Sequence, residues 1–164
     1  MDEQLIGGRY RGFRITPDDS ESMRYLSKFH IRALKFIDRY HVETDPVWLS
    51  QLIYSVRNPK AANLVHMLGA VDLKGEMVAH ALSYVDNYQT LGPVVICLQG
   101  EKDRSVDRES AVEMRRIAME LIKEWACSLK LKDLIIYALK PSNVRIDKMA
   151  GFSVFRTVMR LKLE

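Results

Sequence analysis

Residues 93–128, "PVVICLQGEKDRSVDRESAVEMRRIAMELIKEWACS", join an apolar run to an amphipathic one, and their reading decides the fold. "VVICL" (94–98) is apolar at consecutive positions, as in a strand covered on both faces, which predicts a central strand. Downstream, Met114, Ile117, Ala118, Leu121, Ile122, Trp125 and Leu129 recur at helical spacing, with Arg115, Arg116, Glu120, Lys123 and Glu124 mostly off that stripe. A strand that hands over to a helix through a loop is a ready anion site, because free backbone N–H groups and the helix dipole converge there. This junction, however, carries Glu101, Asp103, Asp107 and Glu109. Ser105 or Asp107 can cap the helix, and the same carboxylates repel a phosphate. Lys102, Arg104 and Arg108 are the nearby cations that could offset them. Gly100 reads as a strand-end turn residue, and Glu101 and Asp103 as surface residues just past the strand.

Upstream, "RYRGFRITP" (9–17) predicts an opening strand stopped by Pro17. "DDSESMRYLSKFHIRALKFIDRY" (18–40) predicts one helix, with Met23, Leu26, His30, Ala33 and Ile37 on a face and Asp18, Asp19, Ser20 and Glu21 as capping candidates. A second helix starts at Thr44 or Asp45 with Pro46 at its first position and ends at Asn58-Pro59. Residues 63–88 predict a hairpin turning between Asp72 and Glu76, with Tyr84 and Tyr88 as packing residues or as walls of an acceptor cleft. Beyond the long helix, "DLIIYAL" (133–139) predicts a buried strand containing Tyr137. "NVRIDKMA" (143–150) then predicts a short helix closed by Gly151, and "SVFRTVMRLKL" (153–163) a closing strand. The expected order is β-α-α-β-β-β-α-β-α-β, an α+β, three-layer architecture with a mixed, mostly antiparallel sheet and helices on both faces.

The 164 residues, 48% hydrophobic and 28% charged, suit one domain spanning 1–164. No apolar run reaches the roughly 20 residues of a membrane span, and "MDEQLIGGRY" lacks a secretory core, so a cytoplasmic protein is expected, or a virion component if the source is viral. Cys97 and Cys127 read as buried free thiols. His30, His41, His66 and His80 are too scattered to nominate a metal site. From Lys123 to Lys162 there are nine basic and three acidic residues, leaving a net −2 in the remainder of a +4 chain. That asymmetry suits either a solvated basic surface or contact with nucleic acid.

The element order resembles the GNAT superfamily of acyl-CoA-dependent N-acetyltransferases, most specifically over 124–163. There a helix ending in a basic turn, a buried strand, Asn143 opening a short helix and Gly151-Phe152 before the last strand fall in the family's order. The resemblance implies acetyl-CoA between two splayed strands, here "VVICL" and "DLIIYAL". It also implies a backbone N–H on the first of them polarising the thioester carbonyl, a base for an acceptor amine, and a tyrosine that protonates the thiolate. It makes Leu98, Arg104, Arg108 and Asn143 the coenzyme-binding candidates. Two departures stand out. The family's Gln/Arg-x-x-Gly-x-Gly/Ala loop has no counterpart between Leu98 and Met114, and the tyrosine's position holds Asp147. The catalytic set is therefore unassigned, with Glu101 and Asp147 as candidates. Three functions are compatible with these residues: an N-acetyltransferase for an undetermined amine, a GNAT-like fold that has lost catalysis and serves a protein assembly such as a phage virion, and a nucleic-acid-associated protein.

Overall fold

The structure is a computed structural model and describes residues 4–40, 42, 44–88, 91–136 and 151. Among these, six strands form one sheet in chain order, from β1 to β6. They are β1 (Gln4–Ile6), β2 (Tyr10–Arg14), β3 (Val65–Val71), β4 (Met77–Tyr88), β5 (Gly92–Lys102) and β6 (Leu134–Ile136). Neighbours are antiparallel except β5 and β6, which run parallel with Val95 opposite Leu134 and Cys97 opposite Ile136. The helices are α1 (Ser20–Met23), α2 (Leu26–Tyr40), α3 (Pro46–Tyr54), α4 (Pro59–Ala62) and α5 (Arg108–Ser128), with one 3-10 turn at Ser55–Arg57. The expected mixed, mostly antiparallel sheet is present.

Alternation along the strands assigns the two faces. Phe13, Val65, Met67 and Leu82 point to one side, where they pack with Leu26, Phe29 and Ala33 of α2 and Leu49 and Ile53 of α3. Leu68 and Val95 point to the other side and meet Ile122, Trp125 and Ala126 of α5. Helices thus cover both faces, and each buries the apolar stripe its sequence spacing specifies.

Four elements differ from the sequence expectation. The opening strand is a hairpin: β1 pairs with β2 through Gln4–Gly12 and Ile6–Tyr10. Its turn places Gly7 and Gly8 at φ of 56° and 68°, the left-handed conformations a tight hairpin turn requires. A three-residue strand is too short for periodicity to reveal. The first helix is broken between Met23 and Leu26, where the Tyr25 ring packs against Phe13 at 4.8 Å and its hydroxyl accepts from Arg11. The second helix ends at Asn58 as expected, its last residues forming the 3-10 turn, but Asn58 also caps an additional short helix, α4, accepting from Lys60 N–H. Cys127 is exposed rather than buried, because it lies off the α5 stripe, while Cys97 is half-buried. The hairpin at Asp72–Glu76 forms as expected, with Asp72 Oδ1 accepting from Lys74 and Glu76 N–H at 2.9 Å. "DLIIYAL" is half-buried over its described residues Leu134–Ile136. Tyr137, the short helix at 143–150 and the closing strand lie outside the described residues, as does most of the basic carboxy-terminal third.

A Cβ on Gly69 would sit 2.9 Å from Phe13 Cζ, whereas one on Gly100 would meet nothing within 4 Å. Gly69→Ala is expected to destabilise the fold by about 1–3 kcal/mol through overpacking. Gly100→Ala should stay within about 0.5 kcal/mol of the parent. Urea unfolding midpoints of the two variants check this pair.

Candidate functional site

The site begins with an irregularity in β5. Ser83 of β4 pairs with Cys97 and Leu82 with Gln99, so Leu98 is an extra residue with no partner on β4. Such a bulge reverses the alternation of side chains beyond it. Leu98 packs on the α2 side, and Gln99, which would otherwise point toward α5, also turns to α2, where its Nε2 donates to the Ala33 carbonyl at 3.3 Å. Glu101 follows two residues on. Its carboxylate is paired with the Arg39 guanidinium of α2 and accepts from the Tyr40 hydroxyl at 3.3 Å. The Glu101 side chain is only 7% exposed. The expected surface placement of Glu101 is therefore corrected: the bulge turns it inward. Asp103 is half-exposed and paired with Arg32 at 2.9 Å.

Arg32 does more than neutralise Asp103. Its other contacts are the Met77 and Val78 carbonyls at the start of β4, while Asp103 N–H donates to the Val78 carbonyl at 2.8 Å. The loop after β5 is thereby fastened to the hairpin and to α2. Gly100 is not a turn residue but lies inside β5 opposite Ala81, because the strand continues to Lys102. The Lys102 ammonium donates to the Asp103 and Val106 carbonyls and so closes the loop on itself. Val106 is buried against Ile6, Val78 and Met114.

At the α5 N-terminus, Asp107 is the cap. Its Oδ1 accepts from Ser110 N–H at 2.8 Å, and that hydrogen bond chiefly holds its carboxyl below the usual range. The β1–β2 turn lies against the same helix end, with Gly7 N–H donating to Glu113 Oε2 at 3.1 Å. A Cβ on Gly7 would be 2.6 Å from Ser110 Oγ. The anion that this helix end favours is supplied by the protein itself. Arg104 and Arg108 are exposed on the loop and the first turn.

A cavity of about 1510 Å³ is bordered by α5, by both strands β4 and β5, and by Phe36 of α2. Leu98, Gly100 and Glu101 border it on β5, Arg108 and Arg115 on α5, and Ala79 and Ala81 on β4. Small residues on the sheet hold open this space under a long helix. His80 and Gln99 border it as well, and they meet through His80 Nε2 and Gln99 Oε1 at 3.3 Å. Because Gln99 Nε2 is committed to Ala33, the Gln99 oxygen accepts and His80 Nε2 carries the proton. Burial, and secondarily Arg32, lowers the His80 pKa to about 4. His66, on the α5 face, is stacked on Trp125 and lowered to about 3 by burial and by Arg14.

Among the sequence candidates, the structure gathers Leu98, Glu101 and Arg108 around one cavity and leaves Arg104 on the exposed loop. Asn143 and Asp147 lie outside the described residues. Tyr84 meets Trp48 edge-on at 5.4 Å, a packing role with α3. Arg32, Arg39, Tyr40, His80 and Gln99 were not singled out in this role from sequence. They are brought together by a bulge and by contacts between α2 and β5 some 60 residues apart, for which local patterns give no signal.

Both buried histidines are neutral when folded and take up a proton near pH 6.5 when unfolded. The stability this contributes is complete above pH 6.5 and is lost as the pH falls from there toward the folded values of about 3 and about 4. The expected slope is about 1.4 kcal/mol per pH unit for each histidine. His80→Gln should remove about half of the slope between pH 6 and pH 5, as read from urea midpoints.

No protein-family model and no curated protein sequence matches the chain. Solved structures do. AAC(6')-Iy, in complex with the bisubstrate analogue CoA-S-monomethyl-acetylneamine, superimposes with a TM-score of 0.63 at 13% identity, covering 94% of this chain and 98% of its own. Glucosamine-6-phosphate N-acetyltransferase from Arabidopsis thaliana gives 0.62 at 9% identity, covering 94% and 99%. A predicted acetyltransferase with acetyl-CoA from Clostridium acetobutylicum gives 0.58 at 15% identity, covering 93% and 96%. With a mixed six-stranded sheet, helices on both faces and this near end-to-end superposition, the chain has the acyl-CoA N-acyltransferase fold of the GNAT superfamily.

Proposed function

We propose that the protein is an N-acyltransferase that moves an acyl group, acetyl in the simplest case, from acyl-CoA to an amine. The observation that carries this reading is the bulge at Leu98, a residue of β5 with no register partner on β4, beside a cavity that Leu98 and Glu101 both border. The acyl end of the coenzyme suits this arrangement. The phosphate end does not suit the α5 amides, since Ser110 N–H is taken by Asp107, and falls instead to the side chains of Arg104 and Arg108. Bound there, acyl-CoA supplies a thioester-activated acyl group. The Leu98 peptide is the candidate donor to the acyl carbonyl, a class of contact worth about 3 kcal/mol in well-studied sites. Glu101 is the candidate acceptor for the proton of the incoming amine, with Arg39 and Tyr40 fixing its orientation. Asn143 is the candidate contact to the coenzyme arm, whereas Asp147 stands where the resemblance implies a tyrosine, so the released thiolate takes its proton from water.

A second reading is favoured by a separate observation. Three carboxylates at the end of β5 and in the loop after it are already engaged, Glu101 with Arg39, Asp103 with Arg32 and Asp107 with Ser110 N–H. A loop so satisfied suits a fold that has given up the coenzyme and acts as a binding or structural component.

Calorimetric titration with acetyl-CoA separates the two. Acyl transfer requires binding that weakens in Arg104→Ala and Arg108→Ala. No heat at millimolar coenzyme sinks it and leaves the second reading. In the double variant Asp107→Gly with Glu109→Gly, removing the cap and one carboxylate should tighten coenzyme binding while lowering the melting temperature. Glu101→Gln should lower kcat by about a hundredfold while leaving coenzyme affinity unchanged; an unchanged kcat removes Glu101 from the role of base.

A further inference from the structure

The cavity beneath α5 is bordered by β2 and β3 as well as by β5. Arg14 of β2 lies on this face, since its neighbours Phe13 and Ile15 point into the α2-side core. Arg14 pairs with Leu68 of β3, so His66, two residues away on the same face, is its diagonal neighbour. Both border the cavity, together with Trp125. His66 is 2% exposed and its ring stacks on Trp125 at 4.9 Å. Two buried nitrogens here, Arg14 Nε and His66 Nδ1, have no hydrogen-bond partner. Among the described residues no carboxylate pairs with Arg14, and burial pulls its guanidinium pKa down with no opposing cause. Among the described residues, Arg14 is a half-buried cation without a counter-ion, beside a second unsatisfied nitrogen and a cavity.

We propose that Arg14 and His66 form a recognition site for the carboxylate of a ligand whose apolar body lies in the cavity beneath α5. The chemistry selects this class. One guanidinium and one neutral imidazole balance a single negative charge, whereas a dianionic phosphate would leave excess charge in a desolvated site. The Arg14 guanidinium and the His66 imidazole, both on residues that border the cavity, are the donors for two carboxylate oxygens. The neighbouring walls, Leu68, Ala70 and Ala81 from the sheet and Met114, Ile117 and Leu121 from α5, are apolar and need an apolar body against them. This site stands independently of acyl transfer.

Fluorescence of Trp125, isolated in a Trp48→Phe background, reads binding directly. Octanoate should bind about tenfold tighter than 1-octanol, the value of one charge-assisted contact, and tighter than octyl phosphate. Arg14→Met should abolish the preference for octanoate over the alcohol and raise the melting temperature of the ligand-free protein, because it removes an unpaired buried charge. His66→Phe should weaken octanoate alone. Equal binding of octanoate and octanol, no binding of octanoate at millimolar concentration, or a preference for octyl phosphate overturns the assignment. That comparison uses Arg14 and His66 intact and decides the question whatever the fate of the variants.

Discussion

One additional residue in β5 organises this molecule. Without the bulge at Leu98, Gln99 and Glu101 would lie on the α5 face with Cys97, and α2 would face a different set of side chains. With it, Gln99 reaches the Ala33 carbonyl and Glu101 reaches Arg39 and Tyr40. The same displacement takes the Leu98 peptide out of register with β4. A local break in a ladder thus turns a carboxylate inward and leaves Leu98 out of register, and both residues border the same cavity.

The end of β5 shows how a fold can retain its architecture while altering a binding surface. A helix N-terminus attracts negative charge, and here Asp107 supplies that charge from within the chain. Arg32 ties Asp103 and the β4 carbonyls into one cluster, Lys102 closes the loop, and the Gly7 turn rests on Ser110 and Glu113. Together these contacts replace glycine-dependent backbone approach by side-chain satisfaction. Positive charge survives at the rim on Arg104 and Arg108, so any phosphate would meet mobile side chains rather than fixed amides.

Both faces of the sheet bury polar groups. On the α2 side His80 has Gln99 as a partner and aromatic edges from Phe29 and Phe36 around it. On the α5 side Arg14 Nε and His66 Nδ1 are buried without a partner, as are Arg32 Nε and His80 Nδ1 on the α2 side. Small side chains on β4, such as Ala79 and Ala81, keep α5 from closing on the sheet there. Unsatisfied polar atoms are costly in a sealed core.

The amino-acid sequence alone determined the elements whose signals are local. The α5 stripe, the Asp45-Pro46 helix start, the hairpin around Asp72 and the apolar run of β5 all depend on residues within a turn or two of one another, and each forms where the pattern places it. Periodicity and capping are written into neighbouring residues, so the layered architecture was legible. The tertiary structure decided the rest. The strand β1 is a strand only because β2 pairs with it, and Glu101 is buried only because a bulge turns it toward an arginine 62 residues away. Lys102 is spent on loop carbonyls, and Arg14 and His66 meet because two strands align in one register. Those outcomes depend on which distant side chains share a face, a property set by packing and register rather than by local spacing.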